Sequence, residues 1–498
     1  MRLNICKRIA ALTMALGVLF TSVTAQAETL PYESYNYTYW EDIVYTPAPY
    51  EPDYVVAGRD LEFNGEPIGA FNSPQDICSD SEGTLYLADT GNNRIIVMDS
   101  KMNGVLNVIT GFDNAGAEDS FKQPSGVAVS ESGELYIADS QNRRIVVLFP
   151  DGTLDRIVDN PQAEVLEDGF VFVPLKVTVD YANRIYCIAQ NMFEGIMVFE
   201  TNGEFTGFFG TINVEITLWE RFWRKLATRA QRAKSQLFIP TEFTGIDIDP
   251  DGFVYASNIT SDGVQGVRRL NPRGQDVIQK GTNENLGGDL NIDGSTDYSG
   301  PSQFVDVVYR GNGIYSCLDR KRGRIFTYDH EGNLLYIFGG LGTQTGTFRL
   351  PVAIENVNGD IVVLDATNAS VTYFKETEYG RLINQAVSLR YDGDEAQAVA
   401  LWQRVLTLDE NNELANTGIG KAYLTAGDYE NAMKYLKLGM ARDYYSVAYK
   451  RYRNNALTES ANVVFTVIIA VIVLIIVLRK LLKNGYIRIG KRKEGGNA

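Results

Sequence analysis

The sequence predicts a mainly β chain: a six-bladed β-propeller, then a helical segment and one transmembrane helix. Three observations carry this. Residues 82–97 (EGTLYLADTGNNRIIV) and 132–147 (SGELYIADSQNRRIVV) are near copies of one phrase, and looser copies continue to residue 374. Each copy follows a Pro that sits close to an aromatic: Phe71/Pro74, Phe121/Pro124, Phe172/Pro174, Phe238/Pro240, Pro301 and Phe348/Pro351. After Tyr379 the β pattern stops, and an apolar run, Ala461–Leu478, lies near the end of the chain. A repeat of this period cannot bury its apolar face alone and must stack on its neighbours.

Within a unit the order is a short apolar run (GVAVS, 126–130), a turn (ESGE), a second run (LYIAD, 135–139), a polar corner and a third run (RIVVLF, 144–149). These runs are rich in Val, Ile and Tyr and are punctuated by Gly, Asn and Asp, which is antiparallel strand chemistry. Four strands per unit and six units predict the propeller. The sixth unit has three strands before the chain turns helical. Tyr54–Gly58 (YVVAG) matches the fourth strands 105–111 and 334–340, so an N-terminal strand is expected to close the ring and remove a sheet edge.

The corner between the second and third strands reads D-x-x-N-x-R-I. It is Asp89, Asn92 and Arg94 in blade 1, then Asp139, Asn142 and Arg144 in blade 2. Blade 5 keeps Asp319 and Arg324; blade 6 keeps Asp365 and Asn368, with Ser370 for Arg. This resembles the NHL-repeat family, over roughly residues 53–376. Blades 3 and 4 depart from it, with Gln190 and Gly195 in the Asp and Arg places of blade 3, and Asn258 with a longer corner in blade 4. Two readings of these corners are open: a ring that binds ligand, or side chains that satisfy turn amides and tie blades together.

Arg2, Lys7 and Arg8 precede the apolar run Ile9–Phe20, and Ala25-Gln26-Ala27 offers a cleavage site; residues 1–27 read as a signal peptide. The run 461–478 is long enough to span a bilayer. Its basic flank, residues 479–498, should stay cytoplasmic. The expectation is a single-pass type I protein of the cell membrane, with the propeller extracellular or periplasmic. Residues 28–52 form an N-terminal extension, 53–378 the propeller and 379–458 a helical segment. The whole chain carries −16; the first 27 residues carry +3 and the last twenty +6, leaving −25 on residues 28–478. Such a domain is no partner for nucleic acid. Of four Cys, Cys6 leaves with the signal, and three do not make a disulfide framework.

Residues 413–446 resemble a tetratricopeptide repeat through Gly420, Tyr423, Gly427, Tyr429, Ala432 and Leu436, with a degenerate copy at Gly393, Ala398 and Trp402. The segment reads either as a partner-binding groove or as a rigid spacer packed on the propeller.

Two insertions break the symmetry. In residues 217–236, Trp219, Phe222 and Trp223 recur on one helical face, while Arg221, Arg224, Lys225 and Arg229 crowd the rest. This basic amphipathic helix on an acidic protein reads as a partner-binding element, a membrane-interface helix or a helix packed on its own domain. In the acidic loop 284–300, Asp289, Asn291, Asp293, Ser295 and Asp297 have calcium-loop spacing, but Gly300 replaces the terminal Glu. A calcium loop and a plain polar loop are both open. Both insertions belong to the disc face that carries the corners, beside blade 4, which is where a specialised site is expected.

Enzymes are known among NHL-like propellers. The family that the sequence resembles includes a zinc-dependent lyase that uses several His, and related six-bladed lactonases use calcium. This chain has one His, His330, so a multi-His metal site is excluded. No P-loop, G-x-S-x-G elbow or Cys/His pair is present. The expectation is a non-enzymatic, membrane-anchored binding or scaffold module engaging a protein or carbohydrate through one propeller face, with no required cofactor. The order of segments looks like that of bacterial surface proteins, which hints at membrane transport machinery. The alternative is a calcium-dependent lactonase-like hydrolase.

Overall fold

The computed structural model describes residues 30–166, 169–210, 242–259, 265–281, 287–290 and 300–484. Six antiparallel sheets follow one another along residues 50–376, each the size of one repeat. Blade 1 is Asp76–Ser79, Leu85–Asp89, Arg94–Met98 and Val105–Ile109. Blade 2 is Pro124–Val129, Leu135–Asp139, Arg144–Leu148 and Leu154–Val158, and blade 3 is Pro174–Val179, Ile185–Ala189, Ile196–Phe199 and Phe205–Phe209. Blade 5 contains Phe304–Tyr309, Tyr315–Asp319, Arg324–Tyr328 and Leu334–Phe338. Blade 6 contains Pro351–Val357, Asp360–Asp365 and Ser370–Glu376.

The ring closes as its sequence suggests, with an N-terminal strand. β1 (Tyr35–Tyr37), β2 (Ile43–Tyr45) and β3 (Tyr50–Ala57) precede blade 1. β3 pairs antiparallel with Ser370–Glu376, Val56 opposite Val371 and Tyr54 opposite Tyr373. The strand is longer than expected and starts at Tyr50, whose side chain is fully buried. The hairpin β1–β2 is a further addition. Tyr35 pairs with Ile337 on the outer strand of blade 5, making that sheet six-stranded.

Three details correct the repeat register. The inner strands of blades 4 and 5 begin at Phe243 and Phe304, each opposite the corner residue, rather than at Pro240 and Pro301. An aromatic at this place packs in the core; Phe304 meets Phe326 at 5.7 Å. In blade 3 the residue opposite Pro174 is Ala189, so the corner Asp is replaced by Ala189 and not by Gln190. Among the described residues blade 4 has three strands, Phe243–Ile248, Val254–Asn258 and Val267–Leu270. Its fourth position is a bridge, Leu270 to Asp276, after which the chain crosses to blade 5, where Gly281 N donates to Gly332 O. That crossing requires glycine: a Cβ on Gly332 (φ +77°) would lie 2.1 Å from Gln279 O.

Two helical hairpins follow, α1 (Glu378–Tyr391) with α2 (Glu395–Leu408) and α3 (Glu413–Ala426) with α4 (Tyr429–Leu438). Thr377, Asp394, Asn412 and Asp428 cap the four N-termini with their side chains. Small residues permit the close packing: a Cβ on Gly418 would meet Trp402 at 2.4 Å, and one on Gly420 would meet Leu436 at 2.6 Å. The hairpins are not a separate body. Tyr379, Leu382, Ile383, Ala386 and Trp402 share one apolar cluster with Val305, Ile314, Tyr336 and Phe338 of blade 5. Helix α5 (Arg442–Lys483) then runs 42 residues without a break, about 63 Å at the rise of an α-helix. It is the one helix among the described residues long and apolar enough to cross a membrane, and none of its apolar window is buried.

Candidate functional site

The Asp corners are built from the strands they join. In blade 1, Asp89 is fully buried; its carboxylate accepts from Asn72 N (2.7 Å), Asn92 Nδ2 (2.8 Å) and Arg94 Nε (2.7 Å). Arg94 continues to Ile68 O and Asn92 to Ala70 O. Blade 2 repeats this: Asp139 accepts from Lys122 N, Asn142 and Arg144, and Arg144 grips Asp119 through two bonds of 2.7 and 2.8 Å. In blade 6, Asp365 accepts from Arg349 N, Leu350 N, Thr367 N and Asn368 Nδ2. The corner therefore holds the turn before its own inner strand. Its acceptor capacity is consumed internally, as buried carboxylates require.

Blade 5 differs. Asp319 accepts from Gln303 N and Lys321 N, but Arg324 turns away to Asp289. Asp289, the first residue of the calcium-loop motif, is buried. Arg322 Nε lies 3.2 Å from it, Arg324 and Tyr37 OH touch it, and Tyr35 OH donates to it at 3.3 Å. Its carboxylate ties the N-terminal hairpin to blade 5. Asn291, Asp293, Ser295 and Asp297 lie outside the described residues, as do Trp219, Arg221, Phe222, Trp223, Arg224, Lys225 and Arg229 and the signal segment.

The central channel holds charge that sequence reasoning missed. Two residues after each blade-opening Pro or Phe stand Asp76, Gly126, Lys176, Gly245, Asp306 and Ala353. The ammonium of Lys176 contacts Asp76 and lies 3.5 Å from Asp306, joining blade 3 to blades 1 and 5. Small residues make the room; a Cβ on Gly245 would be 2.5 Å from Asp306 Oδ1. The acids also clip adjacent blades. Asp76 accepts from Val127 N at 3.0 Å, Asp306 from Ile354 N at 2.9 Å and Asp247 from Tyr309 N at 2.6 Å.

Burial pushes the Asp306 carboxyl up to about 6 despite Lys176. Burial likewise pushes Asp247 up to about 7, with Asp306 and Asp249 adding repulsion. Glu355 is raised well above the usual carboxylate range by burial and then by Asp247. Burial opposes the Lys176 ammonium, but Asp306 and Asp76 outweigh it and hold its pKa high. Among the described residues no three His, Cys, Asp or Glu side chains are grouped to hold a metal. Cys78, Cys187 and Cys317 are free thiols pushed up by burial, not activated ones.

His330 stands at the seam with the helices, edge-on to Tyr391 at 5.1 Å, with its pKa lowered first by burial. Next to it, Glu331 joins Arg390 of α1 and Lys421 of α3, and Lys421 caps the Tyr444 ring at 4.0 Å. The blade-5 turn 329–333 thus docks on the helices.

A groove opens beside this seam. It has a volume of about 470 Å³ and lies between the β1–β2 hairpin, the blade-5 turn and the ends of α2, α3 and α4. Tyr39, Trp40, Asn333, Asn411, Glu413 and Leu438 are among its walls. Among the described residues its lining includes Leu290, beside the motif at Asp289, but no Lys or Arg.

A fold of this kind is a β-propeller with clipped corners and a filled axis. The family model for the NHL repeat matches residues 71–98 and 121–148, so the chain carries NHL repeats within a six-bladed propeller. No curated protein matches the sequence. Solved structures similar to it include a streptogramin B lyase (12% identity, 65% of this chain and 98% of that one, TM-score 0.39). Virginiamycin B lyase from Staphylococcus aureus aligns at 11% identity over 69% and 88%, TM-score 0.37. Kuenenia stuttgartiensis hydrazine synthase aligns at 10% over 62% and 96%, TM-score 0.38.

Proposed function

We propose that the protein is a membrane-anchored binding or scaffold module, held outside the cytoplasm, that engages a protein or carbohydrate partner beside membrane transport machinery. The observation that carries this reading is the continuity of α5. Its first turns pack on α4 through Tyr445 and Ala448, and the same helix runs on as the apolar span. The propeller, fused to the helical hairpins by a common core, is thus joined to the span without a hinge. NHL propellers commonly bind proteins. The basic residues 479–498 support a cytoplasmic C-terminus through the positive-inside rule. The tetratricopeptide-like hairpins act as a rigid spacer, since the blade-5 turn at Glu331 occupies Lys421 and Arg390. The basic segment 217–236 is the proposed contact for a protein partner, and the engagement of Asp289 by Arg322 and Arg324 favours a plain polar loop over a calcium loop at Asp289–Asp297.

A non-enzymatic role is supported by the channel, where the Lys176 ammonium occupies two of the carboxylates, Asp76 and Asp306, that a lactonase-like cation could use. The test is crosslinking on intact cells followed by identification of co-purified proteins. Recovery of a stoichiometric membrane partner is expected. Turnover of lactones by the purified full chain, dependent on added calcium, would replace this reading with the hydrolase.

A further inference from the structure

We propose that the groove between the β1–β2 hairpin, blade 5 and the helical hairpins is a binding site for a neutral saccharide. The proposal rests on the binding-module reading and assigns that module a ligand class and a place.

The groove is assembled from three stretches far apart in sequence, around residues 36–46, 328–334 and 409–440. Nothing in ring closure needs it, because the ring is already closed by β3. Its walls alternate flat apolar surface with amides. Trp40 is 70% exposed and stands edge-on to Tyr39 at 5.0 Å. Leu438, across the groove, is 55% exposed. An indole left in water presents an amphipathic plate, and the C–H face of a pyranose covers such a plate while its hydroxyls stay free.

The polar groups suit those hydroxyls. Glu413 Oε2 accepts from Tyr39 N at 2.9 Å and fixes the aromatic loop; among the described residues Oε1 carries no bond. Asn411 is exposed, and its amide makes no bond among the described residues. Asn333 spends Nδ2 on Asp329 and Glu331, which leaves Oδ1 to the groove. Amides and a carboxylate supply donors and acceptors around the groove, the pattern that vicinal hydroxyls, both donor and acceptor, can satisfy. The electrostatics exclude anionic ligands. Among the described residues the lining holds Asp409 and Glu413 and no cation, in a domain of −25. A peptide is disfavoured because the free edge beside the groove, β2, is only three residues long and offers too short a ladder.

The experiment uses the full chain in phosphatidylcholine nanodiscs, free of glycosidic detergent. Maltohexaose, cellohexaose, xylohexaose and mannohexaose are titrated calorimetrically. We expect at least one to bind. Trp40→Ala should then weaken binding by about tenfold or more, Trp40→Phe by less, and Asn411→Ala and Glu413→Gln severalfold each. Because Trp40 and Asn411 are exposed, their variants should melt at the wild-type temperature. Saccharide binding that survives all four changes overturns the groove and leaves the module reading standing. Binding of none of the four sugars, or capture of a peptide in the groove, overturns the saccharide class; the crosslinking experiment separately decides the module.

Discussion

Lys176 of blade 3 stands 3.5 Å from Asp306 of blade 5, two blades away, with Asp76 of blade 1 on its other side. One ammonium therefore closes the axis of a ring whose opposed carboxylates would otherwise repel. Lys176→Met should strand both acids and cost about 3–5 kcal/mol, the usual result of removing one partner from a buried pair. Urea unfolding measures this. Adding Asp76→Asn and Asp306→Asn to Lys176→Met should recover most of the loss. If the triple variant is no more stable than the single one, the triad is not an electrostatic unit.

The channel also sets a pH dependence. Asp247 has its folded pKa raised to about 7, first by burial. A raised acid stabilises the fold below its unfolded pKa, and that contribution is lost as pH rises through the folded value. Stability should therefore decline between about pH 4 and pH 7, and the effect should be shared with Asp306 and Glu355, which are raised as well. Asp247→Asn removes the charge. It should raise the melting temperature at pH 8, by on the order of 2 °C or more, and leave it nearly unchanged at about pH 4, where the side chain is protonated in the folded state. An equal change at both values would mean that Asp247 acts by hydrogen bonding alone.

Closure by β3 gives a third expectation. Tyr50 is buried against Phe338 at 5.0 Å and takes a bond from Arg310, itself bonded to Tyr336 and Gly359 O. Deleting residues 28–60 would open the edge at Ser370–Glu376 and empty this site. Light scattering and circular dichroism should report an aggregated or unfolded product. A soluble monomer that melts at the parent temperature would contradict the closure.

Topology is checked by protease on intact cells, or on spheroplasts where an outer membrane exists. The propeller should be cut, and an epitope placed after Lys493 should be spared. The opposite pattern would place the basic segment outside.

What could be read before the fold was known follows from range. The phrase LYIAD/NRRI repeats within one blade, so strands and corners were legible, and so was β3, whose match lies at the far end of the ring. Lys176, Asp76 and Asp306 were not, since each lies in a different blade and only the closed ring puts them in one layer. Their signal was there: each stands two residues after a blade-opening Pro or Phe. Hairpin β1–β2 was missed because two three-residue runs, YNY and IVY, are too short to show alternation. The displaced corner of blade 3 was misplaced by one residue because Ala189 gives no polar cue. The role of Asp289 was hidden by a motif: calcium-loop spacing drew attention from Arg322 and Arg324, which sit more than thirty residues on.

The last expectation concerns residues 217–236, on sequence grounds alone. Trp219, Phe222, Trp223 and Leu226 recur at helical spacing, and leaving such side chains in water forfeits roughly 1.5–3 kcal/mol for each. Arg221, Arg224, Lys225 and Arg229 crowd the remaining positions, in a domain whose net charge with them included is −25. Ring closure does not call for the segment, because the junctions between blades 1 and 2 and between blades 5 and 6 do without one. Changing Trp219 and Trp223 to Ala together should leave the melting temperature of the full chain within about 1 °C, the behaviour of surface substitutions, while abolishing recovery of the crosslinked partner. A fall of several degrees with the partner still recovered would mean that the two indoles pack on the propeller itself and that the contact with a partner lies elsewhere.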